Sequence, residues 1–249
     1  MTKNIFITGG TSGIGKSLIY KFAENKCNIF FTYYSNLNEA QSISKNLKKH
    51  NILHNYAKMD LSRPGTINNA FKKFSKQFKR LNIFINNASI KMQRKEFLKL
   101  KNIEISKNIK GLLIGNIISL KKALELSLKK SSSNQSIIIN ISSYASISGG
   151  KNIHLYASSK SALNTLTTAL SKDSFKKKIK FFSIVPRYID TPSFRKNNNI
   201  KNNRDLILFK KRKRIKRIKK SKEFANFIYN RFIRNINTKY NPIIHYDSF

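Results

Sequence analysis

The sequence predicts an α/β fold: one doubly wound parallel sheet of about seven strands with helices on both faces. Three observations carry that expectation. Short apolar runs alternate with helix-spaced segments along the chain. The runs are apolar on both faces, as strands covered on both sides must be. Turns rich in glycine, asparagine and serine fall directly after them, where such sheets hold their ligands.

Taken in order, Lys3–Thr8 is an apolar strand running into a glycine turn, with no room ahead of it for a signal peptide. A helix follows over about 13–25, with Ile14, Leu18, Ile19 and Phe22 at helical spacing. Asn28–Tyr34 is a continuous β-rich run, preceded by Cys27 as a small core residue. A helix over about 38–49 and a strand over about 52–58 lead to Asp60. Pro64 suits the first turn of a helix over about 64–79, which turns Phe71, Phe74 and Phe78 onto the sheet. Leu81–Ile85 is a strand ending at Asn86-Asn87, and one long helix is expected over about 104–130. Ile137–Ile141 is a buried strand, followed by a Ser/Gly-rich loop at 142–150 and a helix over about 153–174. Phe181–Val185 is a strand stopped by Pro186. Residues 193–222 are polar and very basic, and a helix over about 222–234 and a strand, Ile243–Tyr246, close the chain. No linker or repeat divides the 249 residues, so 1–249 reads as one domain carrying 193–222 within it.

Composition narrows the class. The chain is 40% hydrophobic, which excludes a disordered polycation. Its single cysteine excludes an internal disulfide framework and fits a reducing, cytoplasmic setting. No apolar stretch is long enough to span a membrane. The net charge of +39 points, by itself, to a polyanion binder. However, 39 lysines, 35 isoleucines and 30 asparagines against one valine follow the split between A/T-rich and G/C-containing codons. Base-composition drift is therefore the expected origin of much of the charge. His50, His54, His154 and His245 lack metal-ligand spacing.

The chemistry lies in the turns. TGGTSGIG, residues 8–15, places backbone N–H groups and a helix N-terminus where a pyrophosphate can sit, through Gly9, Thr11, Ser12, Gly13, Ile14 and Gly15. Asp60, in MDLS, can accept from an adenine amino group or close a turn. In NNAS, residues 86–89, Asn86 can pin a neighbouring loop and Ala88 leaves room for a cofactor. Tyr156 and Lys160 lie four apart on one helix face, so the ammonium is expected to lower the phenol below its usual value of about 10. That makes Tyr156 a proton donor to a carbonyl oxygen. Ser143, after the fifth strand, can hydrogen-bond the same oxygen.

These motifs, in this order, resemble the classical short-chain dehydrogenase/reductase family, whose fold is Rossmann-type. The resemblance runs from TGGTSGIG through DLS, NNAS, Ser143, YASSK and PRYIDT to RIKKSKEFANFI and YNPIIHYDSF. It implies hydride transfer between a nicotinamide dinucleotide and a carbonyl or alcohol. In its terms Tyr156 is the general acid/base, and Lys160 lowers its pKa and holds the nicotinamide ribose. Ser143 orients the substrate carbonyl. Asp60 and Leu61 meet adenine, Asn86 and Ala88 flank the adenosine ribose, and Pro186, Ile189 and Thr191 meet the nicotinamide. For the family's catalytic asparagine the spacing to Ser143 favours Asn116 over Asn108. Four positions, two of them adjacent, depart from the family pattern. Ser89, Arg187 and Ser248-Phe249 stand where glycine is usual, with strain or crowding of the cofactor expected at the first two.

The second strand ends in FFTYYSN, residues 30–36, without the acid that selects NAD. Ser35 and Asn36 are the candidates to donate to a 2′-phosphate, and NADP(H) is the expected cofactor. The branch most resembled is 3-oxoacyl-[acyl-carrier-protein] reductase of fatty acid synthesis, an NADPH-dependent carbonyl reductase. Enoyl-thioester reductase of the same fold is the alternative, and a degenerate, non-catalytic protein binding acidic partners through its basic face is another. Family members form homotetramers through the two long helices. The run KKRKRIKRIKK, residues 210–220, falls where the family has a substrate flap. It reads as a solvated helix with Leu208, Ile215 and Ile218 inward, as a dock for an acidic acyl carrier protein, or as a nucleic-acid binder that lacks an aromatic platform.

Overall fold

Along the strands the side chains sort by face, and that sorting builds the two layers. The computed structural model describes residues 2–129, 135–173, 178–234 and 240–246. The strands are β1 (Asn4–Ile7), β2 (Asn28–Tyr33), β3 (His54–Lys58), β4 (Ile83–Asn86), β5 (Ser136–Ile141) and β6 (Ile179–Pro186), then the two-residue β7 (Ile189–Asp190) and β8 (Lys219–Lys220), and β9 (Ile243–Tyr246). Seven of them form one parallel sheet in the order β3-β2-β1-β4-β5-β6-β9, while β7 and β8 pair separately. The helices are α1 (Gly13–Glu24), α2 (Leu37–Leu47), α3 (Pro64–Gln77), α4 (Asn102–Ile109), α5 (Gly115–Lys129), α6 (Ala145–Ser148), α7 (His154–Leu170), α8 (Pro192–Asn197), α9 (Asn203–Arg212) and α10 (Ser221–Tyr229).

Ile5, Ile7, Ile29, Phe31, Ile83 and Ile85 pack with α1, α2 and α10 on one face. Their sequence neighbours Phe6, Phe30 and Phe84 point the other way, onto α3 and α5. Both faces are covered, so the strands are mostly apolar, with Thr32, Asn140, Lys180 and Ser183 among the interior exceptions. Phe6 is fully buried among Phe71, Phe30, Phe74 and Phe84, with ring centroids 4.6, 4.7, 5.3 and 5.5 Å away. Phe71, Phe74 and Phe78 face the sheet as expected, and Cys27 is buried beside α1, where desolvation pushes its thiol up to about 11.

Two expected helices differ. The stretch 104–130 is α4, a widened turn over Lys110–Ile114 and α5. A Cβ on Gly115, where α5 begins, would lie 2.1 Å from the Leu61 carbonyl oxygen, so the helix passes closely against the loop after β3 at that point. The last helix likewise stops at Tyr229 and widens over Asn230–Arg234. Residues 193–222 fold as α8, α9 and β8, and one member of the expected inward set differs. Leu208 is 57% exposed, and Phe209 is the residue packed onto Tyr188 and Phe194. Ile215 and Ile218 do pack inward with it. Among the described residues no helix is long and apolar enough to cross a membrane.

Candidate active site

The carboxyl ends of β1, β2, β4, β5 and β6 open on one cleft, made of two adjoining cavities of about 740 and 810 Å³. Gly9 and Gly13 adopt φ of +69° and +51°, which the turn requires and L side chains resist. A Cβ on Gly15 would lie 2.1 Å from the Gly9 carbonyl oxygen, so Gly15 is a packing residue behind the turn. The α1 N-terminus has no side-chain cap and no acid in its first turn, while Gly9, Thr11, Ser12, Gly13 and Ile14 line the first cavity. Uncapped N–H groups facing an open cleft fit a pyrophosphate. Asp60, Leu61 and Ala88 line the same cavity.

Three expected contacts lie elsewhere. Asn86 is buried at the end of β4 and donates to the Asn140 side chain (3.0 Å) and the Asn116 carbonyl (3.2 Å). Asn140 continues to Thr167 (2.9 Å), so this chain ties β4 and β5 to α7, the helix that carries Tyr156 and Lys160. Asn87, unassigned from sequence, is the asparagine at the cleft, where its amide donates to the carbonyls of Thr8 and Gly9 at 2.8 and 3.1 Å. Neither Ser35 nor Asn36 is among the cleft-lining residues. Asn36 instead caps α2 by accepting from Glu39 N–H, and Thr32, Tyr33 and Tyr34 line the cleft there.

The second cavity holds the reacting groups. Ser143, Tyr156, Lys160, Pro186, Ile189 and Thr191 line it together. Ser143 is the polar side chain that acts on the Tyr156 phenol in this cavity. Lys160 donates to the Ile141 carbonyl at 2.8 Å and lies 5.9 Å from the Tyr156 ring centroid. The electrostatics reverse the expectation from sequence. Burial pushes the phenol of Tyr156 up, against a smaller opposing pull from Ser143, and burial alone pulls the Lys160 ammonium down to about 8. The phenol is therefore held in its protonated form. Asn116 is buried with its amide on the Leu112 carbonyl at 2.9 Å, behind the cleft wall. Asn108 is the asparagine at the cleft, donating to Gln93 and the Glu104 carbonyl, and it also shares a small cavity with Tyr156.

Neither Ser89 nor Arg187 has a positive φ, so the strain expected where glycine is usual is absent from both. Arg187 lines the second cavity, with its guanidinium 5.2 Å from the Tyr144 ring centroid and 6.0 Å from that of Tyr188. Ser248-Phe249 lies outside the described residues. His154 packs edge-on against Phe97 beside the small cavity.

The lowered Lys160 has a consequence for stability. Below about pH 8 the group is charged in both the folded and the unfolded chain. Between about 8 and 10.5 the unfolded chain keeps a proton that the folded protein has released, so stability rises with pH across that window. Each pH unit of the window contributes at most about 1.4 kcal/mol. Relative to Lys160→Met, the wild type is therefore expected to gain on the order of 2–3 kcal/mol from pH 7.5 to 10.5. Urea unfolding of both proteins across this range measures it. A constant difference would show that burial does not penalise the ammonium.

A family model described as short chain dehydrogenase matches residues 3–202. An uncharacterized oxidoreductase, YhxC, of Bacillus subtilis (strain 168) is 26% identical over 190 residues, which is 76% of this chain but only 65% of that protein's length. The 3-oxoacyl-[acyl-carrier-protein] reductase FabG of Chlamydia trachomatis serovar D is 28% identical over 204 residues, covering 81% of this chain and 80% of that one. Among solved structures, levodione reductase superposes with a TM-score of 0.86 at 20% identity, covering 99% of this chain and 96% of that one. The 3-ketoacyl-(acyl-carrier-protein) reductase of Brucella melitensis, complexed with NADH, superposes with a TM-score of 0.82 at 17% identity, covering 99% and 97%.

Proposed function

The chain belongs to the short-chain dehydrogenase family, and from that premise we propose that it is an NADPH-dependent carbonyl reductase acting on a 3-oxoacyl thioester. The observation that carries the reading is the gathering of Ser143, Tyr156 and buried Lys160 on one cavity that adjoins the glycine-turn cleft. A reduced nicotinamide dinucleotide bound there would supply the hydride. Gly9, Thr11, Ser12, Gly13 and Ile14 would hold its pyrophosphate, Asp60 and Leu61 its adenine, and Lys160 its nicotinamide ribose. Pro186, Ile189 and Thr191 would border the nicotinamide.

The protein's own part is the proton. As charge develops on the carbonyl oxygen, the Tyr156 hydroxyl gives up its proton to that oxygen and Ser143 donates a second hydrogen bond. A phenol held protonated by burial favours this direction over alcohol oxidation, which needs a base. Asn108, at the cleft, takes the fourth place in the constellation in preference to Asn116. The thioester assignment draws on similarity to the Chlamydia reductase. A homotetramer, a cytoplasmic location, an acyl carrier protein as partner and a substrate flap at 193–222 belong to the same proposal.

NADPH is favoured because no carboxylate among the described residues lines the cleft at the end of β2. The nearest acid in sequence, Glu39, is ion-paired with Lys16 at 2.7 Å. The net charge of +39 adds a field that favours the extra phosphate. Reduction of an acetoacetyl thioester with each dinucleotide tests both parts. A kcat/KM for NADPH on the order of tenfold above that for NADH is expected. NADH preference would overturn the cofactor assignment, and absence of turnover with either would overturn the enzyme assignment.

A further inference from the structure

The two halves of the cleft differ in charge, and composition does not account for the difference. The dinucleotide half is lined by two lysines, Lys91 and Lys107, and two carboxylates, Asp60 and Glu104. The reacting half shares Lys91 and adds Arg94, Lys151, Arg187, Lys196, Arg212 and Lys213 to Lys160, and no aspartate or glutamate among the described residues lines it. Base-composition drift acts on both halves alike, so it explains a basic chain but not this contrast. A dinucleotide's phosphates do not explain it either, because the excess lies beyond the half that fits them.

The placement is specific. Arg187 leaves the end of β6 and lies against Tyr144, the residue after Ser143, with Tyr188 on another side. Two aromatic faces restrict the guanidinium and so lower the entropy cost of ordering it on a ligand. Arg94 comes from the loop after β4 and Arg212 from the end of α9, where it lies 5.7 Å from the Phe209 ring centroid. No carboxylate among the described residues lies within ion-pair distance of Arg94, Lys151, Lys196, Arg212 or Lys213. Gathering like charges around a cavity costs free energy unless an anion enters it.

Building on the carbonyl-reductase reading, we propose that the substrate carries an oxyanion of its own, carboxylate or phosphate, seated among Arg94, Arg187 and Arg212 while its carbonyl meets Ser143 and Tyr156. Guanidinium groups suit this task because their paired N–H groups match the two oxygens of either anion. These arginines determine specificity. They touch the remote end of the substrate rather than the reacting atoms.

Two pairs of substrates test it with NADPH. Acetoacetyl-coenzyme A, which bears phosphates, is set against the neutral acetoacetyl-N-acetylcysteamine thioester. Levulinate, which bears a carboxylate, is set against its methyl ester. In at least one pair the anionic member is expected to have a kcat/KM tenfold or more above its neutral partner at low salt, and the pair that does so identifies the anion. That ratio should fall toward one in 0.5 M salt, in Arg187→Gln and in the double variant R94Q/R212Q, while the distant Lys48→Gln/Lys49→Gln leaves it unchanged. Equal rates within both pairs would overturn the inference and leave the reductase reading standing. A ratio equally insensitive to Arg187→Gln and to R94Q/R212Q would also overturn it. If nothing is reduced in any arm, the reductase reading fails, and titration of inorganic phosphate into the full-length protein still decides the anion site. Binding weakened tenfold in R94Q/R187Q/R212Q but not in the distant variant supports the site, and equal binding by all three proteins overturns it.

Discussion

Tyr156→Phe is expected to lower kcat for carbonyl reduction by about 10²–10⁴-fold, the range over which a positioned proton donor acts. Only the hydroxyl is removed. The ring stays in place over Lys160, and the cleft wall it forms is unchanged, so dinucleotide affinity is expected to stay within about twofold, well under the ~1.4 kcal/mol that makes a factor of ten. Steady-state rates and a dinucleotide titration of the same variant separate the two effects. The wild type should hold its activity from neutral pH upward until the phenol ionises, because burial pushes that ionisation up. Residual turnover above about one-tenth of wild type would mean that the proton comes from elsewhere.

Phe6→Ala carries the largest expected loss of stability, about 3–5 kcal/mol, the usual cost of truncating a buried phenylalanine. The site cannot collapse around the loss, because Phe6 sits in the interior strand β1 with Phe30, Phe71, Phe74 and Phe84 on its ring. Those neighbours belong to β2, α3 and β4, so one truncation loosens three elements at once. The edge-on pairs with Phe30 and Phe84 would also go, each worth about 0.5–1.5 kcal/mol beyond its buried area. Urea unfolding followed by circular dichroism measures it. A loss below about 1.5 kcal/mol would show that the core refills the space.

The strands are legible from sequence because burial on both faces demands predominantly apolar runs, and Ile137–Ile141 or Phe181–Val185, each with one polar residue, admit few other readings. The glycine turn and the Tyr156–Lys160 spacing are legible because each follows from local geometry, whether positive φ or helix pitch. The choice between Asn86 and Asn87 is not, because adjacent residues at a strand end point to opposite sides and only the register decides which meets the cleft. The same holds for Leu208 and Phe209 on α9, where a one-residue difference in phase exchanges inside for outside. Asn36 has the chemistry of a ligand donor, and its sequence context does not reveal that its side-chain oxygen caps α2. The widening over Lys110–Ile114 breaks the single helix expected there, and of the two asparagines on either side of it Asn108 lines the cleft while Asn116 donates to the Leu112 carbonyl. The pKa directions at Tyr156 and Lys160 escape the sequence because spacing gives the distance between charges but not the water lost around them.

The strand order has a further consequence for how the chain is made. On a ribosome β1 emerges first, β2 and β3 add in turn on one side of it, and β4, β5, β6 and β9 then add in turn on the other. Each newcomer joins an edge that is already open, so none has to be inserted between two strands that have already paired. The nascent sheet therefore grows outward by simple addition, and one side of β1 waits unpaired only until β4 is translated. Exposed edges of that kind are where incomplete chains stick to one another. For that side of β1 the wait is the synthesis of roughly the eighty residues up to β4, about 4 to 16 seconds at usual translation rates.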